Sequence, residues 1–199
     1  MERIGILGGT FDPPHLAHLI LAEYARDAAD LGRVLFVPAG LPPHKQATRT
    51  PIEHRLAMLE LAIEDRDCFA ISRVDIDRPG PHYTVDMIKL LQAEHTQAEL
   101  YFLMGGDSLR DLPKWNRPEQ LITLVRFVVM NRPDLEISAT MHQARFPGLA
   151  GRVTLLNSPL LLGISSTYIS EQIHKGRSAR YLVPDAVLAY IRDHKLYQD

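Results

Sequence analysis

Near the start of the chain, Gly8-Gly9-Thr10-Phe11-Asp12-Pro13-Pro14-His15-Leu16-Ala17-His18 combines residue types suited to holding phosphate. Adjacent glycines let the backbone turn sharply and come close to a ligand. An apolar run over residues 4–7 precedes them, and helical spacing begins at or near His15, so the segment reads as strand, tight turn and helix start. A helix start offers unpaired N–H groups and the positive end of the helix dipole, both of which favour an anion. His15 and His18 stand three apart in the first turn and share one face. Imidazoles placed there can stabilise the charge that builds during phosphoryl or nucleotidyl transfer. Gly8-Gly9 alone fits an ordinary tight turn, and two histidines alone fit a helix cap. Thr10, Pro13 and the H-x-x-H spacing, directly after the first strand, favour the phosphate reading. The segment is neither G-x-G-x-x-G nor G-x-x-x-x-G-K-[ST], which removes the dinucleotide-redox and P-loop fingerprints. A zinc site on His15 and His18 has acceptable spacing, but no Glu or Cys stands nearby at a recognised ligand spacing.

A second segment, Ile164-Ser165-Ser166-Thr167-Tyr168-Ile169-Ser170, opens another helix. Ser165 or Ser166 can cap it, with hydroxyls and free N–H groups facing a further phosphate; an ordinary N-cap is the competing explanation.

The elements that must position these segments follow from apolar periodicity. Residues 4–7, 34–37, 69–76, 100–104, 127–130 and 153–156 read as strands, several without polar alternation, as expected when both faces are covered. Residues 16–28, 52–63 and 84–93 carry helical spacing, with Pro51 suited to a first turn; residues 165–174 and 184–194 supply two more helices. The expected fold is α/β, a Rossmann-like parallel sheet with helices on both faces and a helical C-terminal tail. One domain over residues 1–199 is expected, its core over 1–160 and its helical part over 161–199. Folds of this kind bind ligands beyond the carboxyl ends of the strands, which puts the loops after Leu7, Val37 and Met104 on one rim.

With 46% hydrophobic and 23% charged residues, the 199-residue chain can bury a real core. Its net charge of −2 leaves no electrostatic footprint for nucleic acid. The lone Cys68 forbids an intramolecular disulfide. Met1-Glu2-Arg3-Ile4-Gly5-Ile6-Leu7 is too short for a signal-peptide core, and no stretch approaches a membrane span, so a cytoplasmic location is expected. Self-association stays open.

Taken together, the two segments resemble the paired signatures of the nucleotidyltransferase superfamily, and the chain is similar, end to end, to the bacterial nicotinate-nucleotide adenylyltransferase family. Val37-Pro38, Pro42-Pro43-His44-Lys45, Arg55, Tyr83-Thr84, Gly105-Gly106-Asp107-Ser108-Leu109, Trp115, Arg132-Pro133 and Tyr181-Leu182-Val183-Pro184 extend the likeness. The resemblance implies adenylyl transfer from ATP to nicotinate mononucleotide, with Mg²⁺ arriving on ATP. It implies that Gly8, Gly9, Thr10 and Phe11 cradle the ATP phosphates and that His15, His18 and Lys45 act in catalysis. On the same basis Gly105 and Asp107 meet the ribose, while Ile164, Ser165, Ser166 and Thr167 bind ATP. Thr84, Trp115, Arg132 and His44 fall to the mononucleotide, with Trp115 stacking on the pyridine ring. The chain departs from the family pattern at Ala17, where glycine is usual, and at Ser170, where an arginine contacts ATP phosphates. Arg177 and Arg180 are the candidate replacements for that charge. Nicotinamide mononucleotide or phosphopantetheine as acceptor, and a catalytically silent nucleotide-binding protein, are the alternatives.

Overall fold

In a computed structural model, residues 1–40, 50–131, 135–157 and 163–198 of the chain are described. Among them β1 (Glu2–Gly9), β2 (Arg33–Pro38), β3 (Phe69–Ile71), β4 (Ala98–Gly105), β5 (Arg126–Asn131) and β6 (Val153–Asn157) form one parallel sheet in the order β3-β2-β1-β4-β5-β6. The helices are α1 (Leu16–Ala29), α2 (Ile52–Ile63), α3 (Thr84–Glu94), α4 (Gly106–Asp111), α5 (Pro118–Leu124), α6 (Ser166–His174) and α7 (Asp185–Asp193).

The central strands are apolar through their middles because both faces of the sheet are covered. Successive side chains alternate between faces. Leu7, Phe36, Leu103 and Val128 pack with α1, α2, α6 and α7. Ile6, Val37, Phe102 and Val129 pack with α3, α4 and α5 on the other side. The α/β expectation is met, and residues after 163 are part of the first layer: Ile169, Val187, Leu188 and Ile191 share one core with β1 and β2.

Two expectations change. The strand expected over 69–76 stops at Ile71, since residues 73–77 form a turn in which the Ile76 and Asp77 N–H groups donate to the Arg73 carbonyl at 2.9 and 3.0 Å. An Arg73–Asp77 ion pair at 2.9 Å closes that turn. The sequence reading also missed α4 and α5. At 6 and 7 residues they are too short to display an amphipathic period.

One side chain joins the two central loops. Arg55 on α2 is 1% exposed. Its guanidinium donates to the carbonyls of Thr10 at 2.8 Å, Ala39 at 2.9 Å and Gly40 at 3.3 Å. The turn after β1 is thereby held against the end of β2. Replacing Arg55 with Met keeps length but leaves these carbonyls without their donor, and the expected loss is about 3 kcal/mol of unfolding free energy. Urea unfolding checks this; a loss below about 1 kcal/mol would mean that water replaces the strut.

Candidate active site

A cavity of about 440 Å³ opens at the carboxyl ends of β1, β2 and β4. Strand order reverses between β1 and β4, the switch point at which open α/β sheets bind ligands. Gly8, Gly9 and Thr10 form one wall, with His18 reaching in from α1. Gly105 and Ser108 form a second, Trp115 and Asn116 a third, and Asp75, His82, Tyr83 and Thr84 a fourth. Residues more than 100 positions apart in sequence thus face one space, as the rim expectation required.

The first motif is packed tightly. A Cβ on Gly9 would lie 3.0 Å from the Phe11 ring, so glycine is needed for this approach. Phe11 has φ 50, in the left-handed region that side chains rarely adopt. That turn buries its ring to 1% exposure, edge-on to His18 at 4.9 Å. Phe11 therefore supports His18 from behind rather than facing the cavity. His15 caps α1, and its backbone N–H donates to His18 Nδ1 at 3.2 Å. Accepting at Nδ1 assigns the proton of the neutral His18 ring to Nε2, a donor. The two imidazoles stack with centroids 3.6 Å apart, and His15 lies behind His18, off the cavity lining.

Burial sets their charge. Desolvation lowers the His15 pKa to about 4. It lowers that of His18 well below the usual histidine range, and the neighbouring His15 lowers it further. Both rings are neutral at pH 7.

The second motif meets the first directly. Ser165 caps α6 by accepting the Tyr168 N–H at 3.2 Å. The Ser166 hydroxyl donates to the Pro13 carbonyl at 2.8 Å, and the Leu16 N–H donates to Leu182 O at 2.9 Å. Ile164 packs on the first core layer, and the Thr167 carbonyl accepts the Ser170 hydroxyl at 3.0 Å. Ser170 is thus turned onto its own helix. Residues 164–167 flank the turn after β1 without lining the cavity. Arg180 lies over the exposed Tyr181 ring at 5.6 Å, and neither it nor Arg177 lines the cavity. Asp107, in the first turn of α4, pairs with Arg110 at 3.3 Å. Trp115 stands edge-on to Phe102 at 5.8 Å, one of its surfaces on the cavity. His44, Lys45 and Arg132 lie outside the described residues.

The sequence reading missed the roles of Arg55, Asp75 and His82. Arg55 carried a signal, since it falls on the same helical face as the buried Met58, Leu59 and Ala62. His82 had none; only the turn after β3 brings it to the cavity, where its Nδ1 approaches Asp75 Oδ2 at 3.7 Å.

A glycine turn at a sheet switch point, followed by a helix start bearing stacked donor imidazoles, defines a nucleotidyltransferase-type site. Residues 6–172 match the cytidylyltransferase-like family. The chain is 49% identical to a probable nicotinate-nucleotide adenylyltransferase of Thermomicrobium roseum, over 100% of this chain and 92% of that protein. It is 39% identical to one of Oceanobacillus iheyensis, over 99% and 97%. Plasmodium falciparum nicotinic acid mononucleotide adenylyltransferase complexed with NaAD shares the fold, with TM-score 0.82, 21% identity, and coverage of 99% of this chain and 98% of that one. The chain belongs to the cytidylyltransferase-like family, within its nicotinate-nucleotide adenylyltransferase branch.

The neutral histidines make stability depend on pH. A depressed histidine pKa means that the unfolded chain binds more protons below about pH 6.5, so stability is full above that pH and falls as pH drops toward 4. His15 alone should lower unfolding free energy by about 2 kcal/mol between pH 7 and pH 5. Denaturant melts of the native chain and His15→Gln check this. The substituted chain should show the shallower slope, and equal slopes would mean that His15 is charged in the fold.

Proposed function

We propose that the chain transfers an adenylyl group from ATP to nicotinate mononucleotide in the biosynthesis of NAD, as a single domain spanning residues 1–199 and working in the cytoplasm. The observation that carries this reading is the one cavity shared by Gly8–Thr10, His18, Thr84 and Trp115, in a chain whose full-length relatives are named for this reaction. An oxygen of the mononucleotide phosphate attacks the α-phosphorus of ATP in line, the bond to the β-phosphate bridging oxygen breaks, and pyrophosphate leaves. The protein positions the reactants and stabilises developing charge.

In this reading the N–H groups around Gly9 and Thr10 hold phosphate oxygens beside the start of α1. His18 donates from Nε2 to phosphate, and His15 orients it through the stacked ring and the backbone contact to Nδ1. The anion draws both histidine pKa values upward, favouring the protonated rings as charge builds. Phe11 and Ser165–Thr167 act from behind the turn, fixing its shape, and Ile164 anchors them in the core. Gly105 and Asp107 meet the ribose; His44, Lys45 and Arg132 approach phosphates from the rim. Arg177 or Arg180, which lie outside the cavity lining here, would have to reach back to supply the charge that Ser170 does not. Mg²⁺ arrives on ATP, held chiefly by phosphate oxygens and water; among the described residues no group of three His, Cys, Asp or Glu forms a protein cage for it. No helix among the described residues is long and apolar enough to cross a membrane.

The acid acceptor is favoured over its amide by the start of α3, whose first residue, Thr84, lines the cavity wall. The positive end of that helix stabilises a carboxylate and does much less for a neutral amide. Purified protein with ATP and Mg²⁺ should release pyrophosphate at least ~10-fold faster with nicotinate than with nicotinamide mononucleotide. His18→Ala should lower that kcat about 100-fold while melting normally. No pyrophosphate release with either mononucleotide would sink the reading. Separately, Trp115→Ala should raise the mononucleotide KM about tenfold, with the ATP KM little changed. Equal effects on both would remove the stacking role.

A further inference from the structure

Past α7 the chain turns back onto the first motif. Lys195 has φ 53 and Tyr197 has φ 63, two non-glycine residues in the left-handed region within three positions. Such backbone is disfavoured for residues with a side chain and persists where surrounding contacts enforce it. The contact enforced here is specific. The Tyr197 hydroxyl donates to Asp12 Oδ1 at 2.6 Å, joining residues 185 positions apart. Its ring packs against the first core layer, and the Thr50 side chain stands beside the same hydroxyl. Burial, followed by the Asp12 charge, raises the phenol pKa above its usual range, so it remains a donor. Asp12 lies between Phe11, whose backbone is left-handed, and Pro13, whose carbonyl is held by Ser166. On the other side of Phe11, the Thr10 carbonyl is held by Arg55.

From this arrangement we propose that Tyr197 is a positioning residue for the phosphate turn. Its hydroxyl holds the Asp12 carboxylate and thereby fixes residues 10–15, which carry the backbone donors and set the aim of His18. Ser166 and Arg55 hydrogen-bond this turn only through carbonyls, although the Arg55 charge also attracts Asp12; Tyr197 is the side chain that hydrogen-bonds the Asp12 carboxylate and keeps it turned toward the phenol. Loss of the hydroxyl frees Asp12, and a loosened carboxylate beside the cradle weakens anion binding by repulsion as well as by disorder. The proposal rests on reading this turn as the ATP phosphate cradle.

Tyr197→Phe removes only the hydroxyl. Measured by calorimetry with Mg²⁺-ATP and no acceptor, at a temperature where circular dichroism shows both chains folded, its ATP Kd should rise about tenfold. The KM for nicotinate mononucleotide should stay within about twofold, a split that a purely structural role would not produce. Asp12→Asn keeps an acceptor oxygen and removes the charge, so its ATP Kd should rise less than that of Asp12→Ala. Adding Tyr197→Phe to Asp12→Ala should cost little more than Asp12→Ala alone. An ATP Kd within twofold of the native value in Tyr197→Phe overturns the proposal, as does equal weakening of both substrates. If Tyr197→Phe does not fold, additive losses between Asp12→Asn and Thr50→Val overturn it and non-additive losses support it. A native chain that fails to bind ATP instead overturns the functional reading itself, and the positioning role with it.

Discussion

The turn from β1 into α1 has to expose backbone donors to a ligand while its own polar groups stay satisfied. Arg55 answers much of that demand: one buried guanidinium binds the carbonyls of Thr10, Ala39 and Gly40 and so satisfies them from behind the turn. A guanidinium suits the task because its planar fork reaches several oxygens at once and stays charged when buried, which a lysine ammonium would do less reliably. Ser166 on Pro13 and Leu182 on the Leu16 N–H hold the same turn from the opposite end of the chain. The geometry of the cradle is therefore determined by contacts that lie behind it.

That packing also explains the electrostatics of the two histidines. A ring stacked 3.6 Å from another and backed by the Phe11 edge is poorly hydrated, and poor hydration penalises the imidazolium. In the absence of anion the site is thus uncharged at its centre. In the proposed function a bound phosphate supplies the charge that makes protonation favourable, which links affinity to proton uptake through the same two side chains.

Much of this was legible beforehand. Strong apolar runs located the strands apart from the end of β3, where Val74 and Ile76 suggested continuation but the Arg73–Asp77 pair and its turn prevailed. The helices α1, α2, α3, α6 and α7 emerged because each is long enough for its apolar face to repeat. The short helices α4 and α5 did not. Within the site, Gly8–His18 was readable because a glycine turn and spaced histidines are adjacent in sequence. His82 and Asp75 were not, because an isolated histidine and an isolated aspartate carry no pattern.

The sequence by itself determined the alternation of strands and helices, the phosphate-suited turn after β1, and the serine-capped helix of the second motif, since each depends on residues within a few positions of one another. Tertiary structure alone decided which side chains face the cavity and which support it. Phe11 turned inward, Ser166 bonded to Pro13, and Tyr197 returned to Asp12 across 185 positions. Contacts of that span depend on how helices seat on the sheet, and no local periodicity encodes them. The glycine turn and its histidines were evident in eleven consecutive residues; the contacts that brace it come from Arg55, Ser166 and Tyr197, none of which lies within them.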